Sequence, residues 1–192
     1  MRGRQFLLIL ILGSTLSAAL GASGWPANSP QDKTNLVELK RGIELFESVL
    51  NQSLAQTFGG PFETLNQARG VYLPGYGVVF SFAVNLTPLR NLGPFSSALT
   101  AKEEQVEREQ EVRHREKAVN VAEQILGDFG QTFNQLSPGE SVAIVIHTVA
   151  AHPGKIERST IVLSAEKKLL DARLTHAISQ ERFAQKLSKT EY

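Results

Sequence analysis

Side chains able to do chemistry are few in this chain and poorly grouped. Its four histidines are His114, His147, His152 and His176. His147 and His152 stand five residues apart in a β-prone run, so an extended backbone directs them to opposite faces. A metal pair carried on one strand would sit two apart, so the spacing predicts no metal site, and no other motif calls for a cofactor. His114 lies in a charged run and reads as a solvated side chain. The absence of cysteine excludes thiol catalysis, iron–sulfur clusters and thiolate-bound zinc. There is no Gly-x-Ser-x-Gly elbow, and no Ser-x-x-Lys motif followed by supporting partners. Glu103, Glu104, Glu107, Glu109 and Glu111 belong to a charge run of the kind that forms a solvated helix face. A general acid or base needs a burying environment to tune it, and no acid is embedded in an apolar strand. No catalytic residue is assigned.

The most distinctive segment is Gly70-Val-Tyr-Leu-Pro-Gly-Tyr-Gly77. Pro74 presets φ and Gly75 supplies a positive φ, which makes a tight turn of type II. The same segment can act as a rim where Tyr72 and Tyr76 present rings and hydroxyls to a ligand. With His147 and His152, these two are the candidate ligand-binding residues. The segment is no phosphate loop, since it lacks the Gly-Lys-Ser/Thr ending and precedes a strand. Asn51-Gln-Ser and Asn85-Leu-Thr match glycosylation triplets, one in a helix and one at a strand end, and carry little weight there.

Periodicity gives the elements that must position these groups. Leu36, Leu39, Ile43, Phe46, Leu50 and Leu54 recur at helical steps and predict a helix over 34–57. The run from Gly70 to Leu86 reads as two strands around Pro74-Gly75, with Val78, Phe80, Phe82, Val84 and Leu86 alternating on one face. A loop over 87–100 follows, then a helix over 101–136 in two unlike halves. Its first half, 102–117, is almost wholly polar, with Glu104–Arg108 and Glu109–Arg113 placed to pair. Its second half carries Val119, Ala122, Leu126, Phe129, Phe133 and Leu136. Residues 141–150 are apolar on both faces, as in a central strand. A turn at 152–157, a strand at 158–164 and helices at 165–175 and 180–187 end the chain, with Ser164 as N-cap of the first of these. The expected fold is α+β: a four-stranded antiparallel sheet of two hairpins, helices on one face, in the order helix-hairpin-helix-hairpin-helix. The order hints at a doubled α-β-β unit. The expected core is Leu39, Ile43, Phe46, Leu50, Phe80, Phe82, Val84, Leu126, Phe129, Ile144, Ile146, Ile161 and Leu163.

The N-terminus carries an address. Arg2 and Arg4 precede the apolar run Phe6–Leu12, and small residues from Gly13 to Gly24 offer cuts after Gly21 or Ser23. That is a secretory signal peptide over 1–23, followed by a flexible leader over 24–32 and one domain over 33–192. The competing reading is an uncleaved membrane anchor, but only Phe6–Leu12 is strongly apolar, where a span needs about 20 such residues. The expected location is periplasmic or extracellular, in a bacterium, with the membrane involved only if the signal stays attached. Of 20 basic and 19 acidic residues, cleavage removes two arginines, so the remaining charge is near balance. Proteins that neutralise nucleic-acid phosphates carry a clear basic excess, so nucleic acid is not an expected partner. Two functions follow. The first is a non-catalytic exported domain that binds another envelope protein or itself, using the charged helix 102–117. The alternative is an exported hydrolase whose distributed active site gathers near the Tyr72/Tyr76 turn.

Overall fold

The computed structural model describes residues 30–59, 64–87, 100–152 and 155–192. The signal segment, the leader up to residue 29, most of the 87–100 loop and the Pro153-Gly154 turn lie outside the described residues. Helix α1 spans Pro30–Thr57. It begins inside the expected leader, because proline fits the first helical turn, where its missing N–H costs nothing. Leu39, Phe46, Leu50 and Leu54 form its buried stripe, while Leu36 stays exposed.

Strands β1 (Thr64–Leu73) and β2 (Gly77–Asn85) form the first hairpin. β1 starts six residues before the expected position. Its early half, Thr-Leu-Asn-Gln-Ala-Arg, is polar and irregular, with register shifts on either side of Asn66. Such a segment lacks strand periodicity yet suits a sheet edge. That edge is closed from the side by α1. Asn51 accepts from the Ala68 N–H at 2.6 Å and donates to the Ala68 carbonyl at 3.1 Å, and Glu47 accepts from the Gly70 N–H at 2.7 Å.

Helix α2 (Ala101–Phe129) opens on a capping box, in which Thr100 accepts from the Glu103 N–H and Glu103 reaches back to the Thr100 N–H. It ends earlier than its apolar stripe, passing into a 3-10 turn at Gly130–Thr132. Gly130 lies against Leu170, whose Cδ2 would have to shift to admit a side chain there. Phe133 and Leu136 still reach the core from the segment beyond. Strands β3 (Ser141–His152) and β4 (Lys155–Glu166) form the second hairpin, longer than expected because the chain stays extended to both sides of the turn. Ser164 therefore lies within β4, and Glu166 takes the N-cap position of α3 (Lys167–Leu174) without a side-chain cap bond. Helix α4 (Gln180–Lys186) and a short strand β5 (Ser188–Glu191) complete the chain.

The class is α+β, as expected, but the sheet is mixed and five-stranded, in the order β1-β2-β3-β4-β5. Both hairpins are antiparallel, whereas β2 and β3 pair in parallel, Gly77 beside Ser141 through Asn85 beside Val149. The correction has a simple cause. A helix between the strands carries the chain back to the end where β2 began, and such a crossover makes neighbours parallel. β5 then pairs antiparallel to β4. The doubled α-β-β unit is not a symmetry of the fold. β1 and β3 run oppositely, and an operation that reversed them while keeping strand order would move the helices to the other face.

The helices do gather on one face, over Phe80, Ile144 and Leu163, which align across the strands. Phe46 stacks on Phe80 at 4.3 Å between ring centroids, and Phe133 closes the cluster at 5.5 and 5.8 Å. Of the expected core, Ile43 and Phe129 are only partly buried; Phe58, Phe133 and Phe183 are buried in addition. Phe183 of α4 packs beside Gly127 of α2. No helix among the described residues is long and apolar enough to cross a membrane.

Candidate functional site

The Pro74-Gly75 turn forms as its residues dictate, with φ of +80° at Gly75 and the Tyr76 N–H bonded to the Leu73 carbonyl at 3.0 Å. Tyr72 is not a free rim residue. Its hydroxyl donates to Oε1 of Glu140 at 2.8 Å, while Oε2 accepts from the Ser137 N–H at 2.7 Å. Glu140 is buried just before β3, an acid that strand-by-strand reading passes over because it sits in the Ser-Pro-Gly turn. Burial pulls its pKa upward, but the bonds from Ser137, Tyr72 and Gly75 outweigh this and hold the carboxyl below its usual range. The same bond to Glu140, helped by burial and by the carboxylate charge, raises the Tyr72 hydroxyl. An acid held as its anion and a phenol held as its neutral form make a structural clasp between the first hairpin and the loop before β3. Tyr76 remains half-exposed beside it.

Removing this hydroxyl has a predictable signature. Tyr72→Phe should cost about 1.5–3 kcal/mol at neutral pH, the range for hydrogen bonds to charged groups. A carboxyl whose folded pKa is depressed stabilises the fold above its unfolded pKa, and that contribution is lost as pH falls through the folded value. Urea melts should therefore show the wild-type advantage shrinking from neutral pH to below the carboxylate range. A gap that stays constant with pH would show that Glu140 is not the partner that matters.

The histidines sit elsewhere. β3 begins beside the tyrosine turn and reaches His152 about 36 Å further along at strand rise. The four candidate residues thus form no common site. His147 lies on the helix-free face, its ring Nδ1 3.2 Å from Oγ1 of Thr160. His152 points to the helix side, as the odd spacing implies. There α2 crosses the end of the second hairpin, and Nε2 of His152 lies 3.4 Å from Oε2 of Glu111. Glu157 of β4 joins them, with one donor atom from each residue all lying within 4.8 Å of one another. Lys155 reaches the other side of Glu157, at 2.7 Å from Oε1. The three open into a cleft of about 550 Å³, which Glu104, Glu107, Arg108 and Val112 also line. Sequence spacing misses this group because its members come from three elements.

The polar half of α2 is accordingly no free arm. Glu107 is buried, and Arg115 pairs with Glu191 of β5 and donates to Ser159 at 3.2 Å. His114 is not solvated as expected but partly buried, with Nδ1 3.3 Å from the Leu86 carbonyl; burial above all lowers its pKa, against the pull of that carbonyl. The expected Glu104–Arg108 and Glu109–Arg113 pairs form at 3.6 and 3.8 Å on the exposed side, where Val106 and Val112 also stand open. Of the two glycosylation triplets, Asn51 is spent on β1 and Asn85 is buried, accepting from Thr87.

The chain matches no protein-family model, no curated protein sequence and no solved structure.

Proposed function

We propose that this chain is an exported, non-catalytic domain of the cell envelope that works by self-association. One observation carries the reading: no described element covers the face of the sheet opposite the helices, where valine and alanine stand among Ser81, His147, Thr160 and Ser164. Val71, Val79, Val145, Val149 and Val162 lie on it, with Ala83 and Ala143 between them. Val71 is 53% exposed and Leu73 44%. A sheet face meant for water usually alternates to polar residues. At the paired positions of this face the only charged side chains are Arg69, Arg158 and Glu166.

A second copy is the occupant this surface fits. Five strands and the nine paired positions of β2 present about 600 Å² per copy, so two faces bury roughly 1,200 Å², within the range of stable interfaces. Glu166 and Arg158 stand at opposite ends of this face of β4. A twofold axis lying between two stacked sheets and across their strands sets Glu166 of each copy over Arg158 of the other. These two positions are therefore complementary to themselves in charge across such an axis, although Glu166 also pairs with Lys168 within the chain. The interaction surface moves from the charged helix of the sequence reading to this face, since much of that helix is engaged within the fold. Catalysis is disfavoured because Glu140 and Tyr72 are consumed by each other and lie far from both histidines.

Light scattering after size exclusion tests the reading on the chain without its N-terminal signal. The wild type should run as a dimer, and Val145→Glu with Val162→Glu should run as a folded monomer by circular dichroism. A wild type of monomer mass at every concentration would overturn self-association. A dimer indifferent to the two glutamates would place the interface elsewhere.

A further inference from the structure

We propose that Glu111, His152 and Glu157 bind a divalent transition-metal ion, of the zinc class, that joins helix α2 to the β3–β4 hairpin. The donor set comes first. An imidazole and two carboxylates suit zinc, cobalt, nickel or manganese, whereas calcium asks for six to eight oxygens. The spacing comes second. Nε2 of His152 and Oε2 of Glu111 are 3.4 Å apart, too far for a strong charged hydrogen bond. Two donors held at about 2.1 Å from one tetrahedral ion are separated by about 3.4 Å.

Charge and access point the same way. Glu104, Glu107, Glu111 and Glu157 line the cleft against Arg108 and Lys155, so carboxylates outnumber fixed cations there. Lys155 engages Oε1 of Glu157, which leaves the second oxygen for a metal. The cleft is open to solvent, so water can complete the coordination. His152 and Glu157 sit on one side of a hairpin and Glu111 on a helix, so binding fixes two rigid elements to each other rather than closing a loop. This site stands apart from the sheet face and does not depend on self-association.

Untagged protein, stripped with chelator and confirmed folded by circular dichroism, should take up one zinc per chain in calorimetry. Its melting temperature should rise with zinc in proportion to occupancy. Cobalt should give the visible absorption of a tetrahedral site. His152→Ala and Glu111→Gln should abolish all three signals, while Glu104→Gln, a wall residue that donates nothing, should keep them. Absence of zinc uptake by the wild type would overturn the proposal. So would uptake that survives His152→Ala, or an equal thermal shift with magnesium or calcium, which would mark general attraction to acids.

Discussion

Gly77→Ala should destabilise the domain by about 2–6 kcal/mol, enough to leave a marginal fold largely unfolded. The residue opens β2 at φ +124°, a conformation that side chains rarely adopt. An added Cβ would lie 1.9 Å from the Ser141 carbonyl oxygen and 2.7 Å from its nitrogen. Those atoms belong to backbone at the start of β3 and cannot swing aside. Backbone strain of about 1–3 kcal/mol therefore adds to an overpacking cost of similar size. Gly75 provides the control. Its φ is +80°, but nothing lies within 4 Å of the added carbon, so Gly75→Ala should show strain alone, about 1–2 kcal/mol. Urea melts of both variants decide the matter: similar costs would mean that the β2–β3 approach is looser than described.

Phe80→Ala should cost about 3–5 kcal/mol, because the ring is wholly buried at the centre of the aromatic cluster. On the β1 side no neighbour can fill the space, since the residue directly across that ladder is Gly70. The ring lies over that glycine, and a Cβ there would stand 2.4 Å from Phe80 Cε1 and 2.8 Å from Ile43 Cγ2. Gly70→Ala should thus harm the wild type yet cost less beside Phe80→Ala, where part of the obstruction has gone. A double-mutant cycle reads this coupling directly, and additive effects would refute the contact.

What the sequence made legible follows from range. The β2 alternation, the Pro74-Gly75 turn and the paired charges of α2 are local patterns that formed as their residues imply, and the α1 stripe did so from Leu39 onward, with Ile43 at its margin. β5 escaped because Ser-Lys-Thr-Glu has no apolar period; its pairing with β4 is its reason to be extended. The first half of β1 escaped for a related reason, being ordered by Asn51 and Glu47 of another element. The parallel β2–β3 contact is a decision of chain return rather than of any residue in either strand. In the site, the isolation of His152 from His147 was readable from strand geometry. Its company was not, because Glu111 approaches only when α2 packs across the hairpin end. Glu140 was hidden by its turn, and Tyr72 lost its apparent freedom with it.

The side chains that α1 places along β1 have a consequence for how far association can go. Outward amides on a rim strand are templates, and chains added there offer a fresh rim each time, which is how fibres grow without limit. Here Asn51 and Glu47 already occupy groups of Ala68 and Gly70 on one side, while on the other β5 pairs with β4 only over Ile161–Ser164. Growth along the hydrogen-bonding direction is therefore obstructed at the middle of the β1 rim. The dimer proposed above uses contact face to face instead, in which each copy covers the surface that recruited it. On that proposal the encounter exhausts itself after one partner and would give pairs rather than polymers.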